Sequence, residues 1–92
     1  MTHLIISPLI IQNKGDADFD LPVKRGITIK EFLKKVEAHY KSRISKLMSE
    51  DGIIRDFIVV FVNGTDINSL QKDKTLVKDS DTVTILSIVS GG

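Results

Sequence analysis

The sequence predicts an α+β fold in which a mixed sheet is covered on one face by a single helix. Three observations carry this. One segment repeats apolar residues at helical spacing, with Ile29, Phe32, Leu33, Val36 and Tyr40 on one stripe. Around it lie runs rich in β-branched and aliphatic residues, the clearest being Phe57 to Val62 and Thr82 to Val89. Their order is strand, strand, helix, strand, short strand, strand, so a later strand must enter between earlier ones.

The first strand is expected over Thr2 to Ile11, with Pro8 at a bulge or late edge because proline cannot donate to a ladder. Asn13 to Asp16 carries a turn signal. Phe19 to Lys24 then supplies a hairpin-related second strand with Phe19, Leu21 and Val23 on one face. Thr28 and Glu31 have the spacing of a capping box, which opens the helix. Lys30, Lys34, Lys35 and Glu37 fall mostly on its other side. The stripe extends weakly through Ile44, Leu47 and Met48, so the helix runs long or restarts after Lys41-Ser42, and Glu50-Asp51-Gly52 ends it.

Phe57 to Val62 is apolar on both alternations and is expected to be central in the sheet. Asn63-Gly64 turns it sharply. Asp66-Ile67 begins a short strand or bridge, and Ser69 to Lys78 is irregular, anchored by Leu70, Leu76 and Val77. Lys78 to Asp81 turns into the last strand. By topology this is a β-grasp roll of the ubiquitin-like kind, with a four- to five-stranded mixed sheet.

Length and composition narrow the function. A chain of 92 residues is expected to form one domain, residues 1–92, with little area to spare for a deep catalytic pocket. Its 41% hydrophobic and 27% charged residues describe a globular protein. Thirteen basic and 12 acidic residues leave a net charge of +1, which makes no electrostatic case for nucleic acid or an anionic membrane. Without cysteine there is no disulfide, zinc–thiolate site or thiol catalysis, and a cytoplasmic location is the simplest expectation. The apolar opening, Met1 to Ile11, is too short to span a bilayer and lacks the flanks of a signal peptide.

The remaining chemical motifs fail on geometry. Asp16, Asp18 and Asp20 imitate the start of a calcium loop, but Leu21 and Ile27 stand where the glycine and the bidentate glutamate belong. A charged hairpin edge explains these aspartates better. His3 and His39 have no partner at metal-ligand spacing. No serine sits in a nucleophile elbow, and no glycine-rich loop opens a helix.

Two features are left. If Ile58, Val60 and Val62 face the core, then Phe57, Val59 and Phe61 face away, and Leu86 and Ile88 do the same on the last strand. Either a partner or the segment before Phe57 covers this surplus. The second feature is Gly91-Gly92, the end of a tail over about 89–92. Lacking Cβ atoms, two glycines lie extended in a channel too narrow for any side chain, and the Gly92 carboxylate becomes the reactive group a partner reaches.

Phe61-Val-Asn-Gly-Thr-Asp-Ile67, Leu76-Val-Lys-Asp-Ser-Asp-Thr-Val-Thr-Ile85 and Val89-Ser-Gly-Gly92 together resemble the MoaD/ThiS sulfur carriers, which include the small subunit of molybdopterin synthase and the archaeal small modifiers. Thr28 to Leu33 and Glu50 to Gly52 share in the likeness. Ser80 departs from a common glycine, and Ser87-Ile88 replaces the proline pair often found in molybdopterin-synthase subunits.

The resemblance implies a carrier that is non-catalytic in itself, or the small subunit of molybdopterin synthase. A ubiquitin-activating-type (MoeB/ThiF-like) adenylyltransferase, using ATP and Mg, adenylates Gly92 and gives a thiocarboxylate for molybdenum cofactor biosynthesis. The large subunit of molybdopterin synthase, or another sulfur acceptor enzyme, is then the second partner. Gly91 belongs to the activated tail, and Leu86, Ile88, Phe57, Phe61 and Val59 are the expected docking residues. No bound cofactor is implied. The alternatives are a modifier joined to lysines through Gly92 and a docking domain that is never activated.

Overall fold

Strand β1, Thr2–Ile6, lies parallel to β7, Thr82–Ser87, so the two ends of the chain meet inside one sheet. The computed structural model describes residues 2–7, 10–11, 16–19 and 26–88. Between these strands come β2 (Asp16–Phe19), β3 (Ile27–Thr28), α1 (Ile29–Tyr40), β4 (Ile58–Val62), β5 (Thr65–Asp66) and β6 (Leu76–Val77). The main sheet runs β2-β1-β7-β4-β5, and β3 pairs with β6 in a second, two-stranded sheet. This is the expected α+β, β-grasp roll, with two short strands, β3 and β6, beyond the five that the sequence pattern revealed.

Helix α1 forms because its first turn is capped and one face is apolar. The Glu31 N–H donates to the Thr28 hydroxyl at 3.2 Å, and the Glu31 carboxylate accepts from the Thr28 N–H at 3.4 Å. Ile29, Phe32, Leu33, Val36 and Tyr40 are all buried. They join Leu4, Ile6, Ile58, Val60, Val62, Val83 and Ile85 in one hydrophobic cluster, which places the helix over that face of the sheet.

The helix does not run on to Met48. It stops at Tyr40, where Lys41 takes φ 54° and ψ −124°, and one 3-10 turn follows. Leu47 and Met48 are buried without being helical. Ile44 bridges Ile11, Met48 bridges Ile54, and the Leu47 N–H donates to the Glu37 carboxylate at 2.9 Å. Burial can thus be met by a reversing chain as well as by another helical turn. Glu50-Asp51-Gly52 is the tip of that reversal and not a helix end.

Several boundaries differ from the expectations. The first strand ends at Ile6, short of Ile11, which bridges Ile44 instead; Pro8 and the turn residues 13–15 lie outside the described residues. The second strand begins earlier, at Asp16, and pairs Phe19 with Thr2 at the sheet edge; residues 20–24 of the expected strand lie outside the description. Strand β4 is interior but not the middle strand. That position belongs to β7, whose apolar core face is flanked by β1 and β4.

The side chains of Leu70 and Leu76 are exposed; Thr75 and Val77 are the buried residues of that stretch, with Ile67 buried just before it. Val77 and Leu76 pair with Ile27 and Thr28. Gly26, at φ 88°, precedes this pairing, and a Cβ there would stand 2.5 Å from the Val77 carbonyl oxygen.

The Asn63-Gly64 turn is as expected, with positive φ at both residues (52° and 85°). Its asparagine also ties two turns together. Asn63 Oδ1 accepts from the Thr82 N–H at 2.9 Å, and its Nδ2 donates to Asp81 at 3.0 Å. Asp81 in turn accepts from the Lys78 N–H at 2.8 Å.

A candidate docking face and tail exit

Alternation along β4 and β7 builds the outer face. Ile58, Val60 and Val62 are buried while Val59 and Phe61 are half-buried. On β7, Val83 and Ile85 are buried and Leu86 is exposed. The antiparallel register sets Val59 against Leu86 and Phe61 against Thr84. Just beyond the ladder, the Ile88 N–H donates to the Phe57 carbonyl at 2.7 Å. Phe57 therefore sits in the turn before β4, not in the strand.

The result is a contiguous apolar patch on the side of the sheet away from α1. Phe57 is 42% exposed, Leu86 41% and Ile88 57%, with Ile5 of β1 at 39% beside Thr84. The segment before Phe57 does not cover it. Leu47 and Met48 are buried in the core cluster, with Ile44 and Ile54 packed against it, so that segment serves the helix side. A patch of this kind on a small protein is the ordinary mark of a binding surface.

Sequence reasoning missed Ile5. The signal was present in the alternation of β1, where Leu4 and Ile6 are buried and Ile5 faces out.

The described chain ends within this patch. Ile88 is the last described residue, and Gly91 and Gly92 lie outside the described residues. An open cavity of about 400 Å³ adjoins the patch at Val59 and is lined also by Ile53, Arg55, Asp56, Lys72 and Asp73 among others. Among the described residues no group of three or more His, Cys, Asp or Glu is placed to hold a metal ion. No helix there is long and apolar enough to cross a membrane.

A ubiquitin-like roll with a bare apolar face beside the exit of its last strand defines a class of docking and carrier proteins. Within that class the chain belongs to the ThiS family, whose model matches residues 11–92. At the family level its function is that of a ubiquitin-like sulfur carrier.

The sulfur carrier protein CysO of Mycobacterium tuberculosis is 33% identical over 69 residues, 73% of this chain and 74% of the relative. A chain from the crystal structure of the Amycolatopsis orientalis BexX/CysO complex superimposes with a TM-score of 0.75 at 26% identity, covering 100% of both chains. The small archaeal modifier protein 1 (SAMP1) of Methanosarcina acetivorans shares the fold at a TM-score of 0.73 and 21% identity, over 99% of this chain and 95% of that one.

Proposed function

We propose that residues 1–92 act as one carrier unit whose tail, about residues 89–92, is activated at the Gly92 carboxylate and loaded with sulfur. The observation that carries this is an uncovered apolar patch on β4 and β7 that includes Ile88, four residues before Gly92 in the sequence. Membership of a sulfur-carrier family supports the chemistry.

A carboxylate is a poor acyl donor because its leaving group would be oxide. An adenylyltransferase of the MoeB/ThiF type overcomes this with Mg-ATP. The Gly92 oxygen attacks the α-phosphorus, pyrophosphate leaves, and an acyl-adenylate results. A persulfide on the donor then attacks the carbonyl carbon and AMP leaves. A second thiol cleaves the acyl disulfide, which releases the thiocarboxylate.

This chain supplies the carboxyl and the docking face, with Leu86, Phe57 and Ile88 as anchors and Val59 and Phe61 around them. Docking converts an encounter between two chains into a local reaction at the tail. Two glycines before the carboxylate let the tail thread a narrow channel. The resemblance of the BexX/CysO complex chain supports a protein partner for such a carrier, without identifying the one used here.

The molybdopterin route is the narrowest form of this proposal, with the large subunit of molybdopterin synthase as acceptor. Ser87-Ile88, in place of a proline pair, weighs against it, and the relatives named above are CysO and SAMP1. A second reading is conjugation of Gly92 to protein lysines, which the shared fold of a small archaeal modifier favours. Both readings pass through the same adenylate.

Mass spectrometry of the protein isolated from its own host separates them. A thiocarboxylate replaces one oxygen of the C-terminus by sulfur, whereas conjugation leaves Gly-Gly remnants on target lysines. Finding neither species would overturn the proposal.

A further inference from the structure

Strand β4 is paired along its whole length on one side only. The Phe57 carbonyl accepts the Ile88 N–H at 2.7 Å and the Asn63 N–H donates to the Thr82 carbonyl at 2.8 Å. In an antiparallel ladder such bonds recur every second residue, so the odd-numbered residues of β4 turn their backbone groups to β7. Ile58 and Val60 turn theirs the other way. On that side β5 pairs only with Phe61 and Val62. The Ile58 N–H is taken by the Arg55 carbonyl at 3.0 Å. The Ile58 carbonyl and the Val60 N–H are left, and among the described residues no strand pairs with them there.

This bare edge lies in the cavity of about 400 Å³, which Ile58, Val59 and Val60 line together. Ile53, Ile54 and Ile67 add apolar wall, and Ile53 is 65% exposed. The charged side chains around them balance, Arg55 and Lys72 against Asp56 and Asp73. A polyanion or polycation therefore meets no net charge, and a purely apolar ligand leaves the carbonyl and the N–H unpaired. A peptide backbone satisfies both.

An acceptor on one residue and a donor two residues on is the pattern that adds a parallel strand. The incoming residue opposite Val59 donates to the Ile58 carbonyl and accepts from the Val60 N–H. Its side chain lies on the Val59 side, next to the apolar patch, and its two neighbours turn towards the side of Ile58 and Val60.

We propose that the edge of β4 at Ile58–Val60 takes up an extended, uncharged, apolar segment of a partner protein as an added parallel strand. The proposal does not depend on the reading of Gly92. Because Val59 belongs to both surfaces, the added strand lengthens the docking face.

The test titrates the full chain with capped peptides, acetyl-Thr-Val-X-Val-Thr-amide, where X is alanine, valine, leucine or phenylalanine, and follows backbone amides by NMR. At least one peptide should bind with a dissociation constant of about 1 mM or less, shifting Ile58, Val60 and Asn68 and slowing hydrogen exchange at Val60. Methylating the nitrogen of X removes the donor to Ile58 and should weaken binding roughly tenfold. Methylating the next nitrogen, which faces away from β4, should change it by less than about twofold. Ile53→Glu, at an exposed position, should keep the melting temperature and weaken binding roughly tenfold.

No saturable shift with any of the peptides up to about 5 mM overturns the proposal. Shifts centred on Leu86 and Ile88, with Val60 unmoved, put the peptide on the patch and overturn it too. Equal weakening by the two methylations rules out an added strand. Self-association of the chain alone that the peptides disrupt gives the edge to a second copy instead of a partner.

Discussion

Replacing Asn63 by alanine removes a clamp between the turn after β4 and the turn before β7. Two side-chain bonds disappear, to the Thr82 N–H at 2.9 Å and to Asp81 at 3.0 Å. Both are exposed, so each contributes about 0.5–1 kcal/mol, the lower part of the range for a net hydrogen bond. Alanine must also adopt the positive φ of 52° that asparagine tolerates, at a further cost of about 1 kcal/mol. The expected loss is therefore about 2–3 kcal/mol.

Asn63→Gly loses the same bonds but accepts the backbone angle, and should cost about 1 kcal/mol less than alanine. Urea unfolding followed by circular dichroism gives both values from the midpoints, provided the slope is unchanged. A loss under about 0.5 kcal/mol for Asn63→Ala would refute the clamp. Equal losses for alanine and glycine would refute the backbone part.

Three further outcomes are expected. Leu33→Ala should destabilise by about 2–5 kcal/mol, because Leu33 is fully buried under the sheet; a loss well below ~1 kcal/mol in the same assay would contradict the packing of α1. Lys41→Gly should stabilise by about 1 kcal/mol, since φ 54° with ψ −124° strains any residue with a Cβ; an unchanged or lower melting temperature would contradict that strain. Leu86→Arg should leave the melting temperature nearly unchanged, Leu86 being exposed, yet weaken binding to the adenylyltransferase by about 2 kcal/mol or more. Normal binding of the folded variant in a titration would mean that the partner uses another face.

What the sequence made legible is the part determined locally. The helix stripe, the Thr28–Glu31 capping box and the Asn63-Gly64 turn depend on neighbours within four residues, and each appears as expected. The inward and outward sets on β4 and β7 follow from the period of two alone. Of the contacts between distant residues, the helix over the sheet and the last strand entering between earlier ones were legible, but the short pairings were not. The β3–β6 pair joins Ile27 to Val77, and neither two-residue strand has a periodicity to read.

Leu47 and Met48 kept a helical spacing after the helix had ended, because a bridge to Ile54 and a bond from Glu37 bury them equally well. Phe19 was placed at the start of a strand that it in fact ends, since the charges of Asp16 and Asp18 masked an edge strand. At the candidate site, the outward positions of Phe57, Val59, Phe61, Leu86 and Ile88 followed from alternation. The addition of Ile5 required knowing that β1 lies beside β7.

The most direct test of the carrier account is AMP–pyrophosphate exchange by the host's adenylyltransferase with the full chain as acyl substrate. Two variants accompany it, one lacking Gly91-Gly92 and one with a single residue added after Gly92, each checked for an unchanged circular dichroism spectrum. The account predicts exchange with the wild-type protein and none with either variant, because both displace the carboxylate from the position the docked tail reaches. Undiminished exchange with either variant would contradict it.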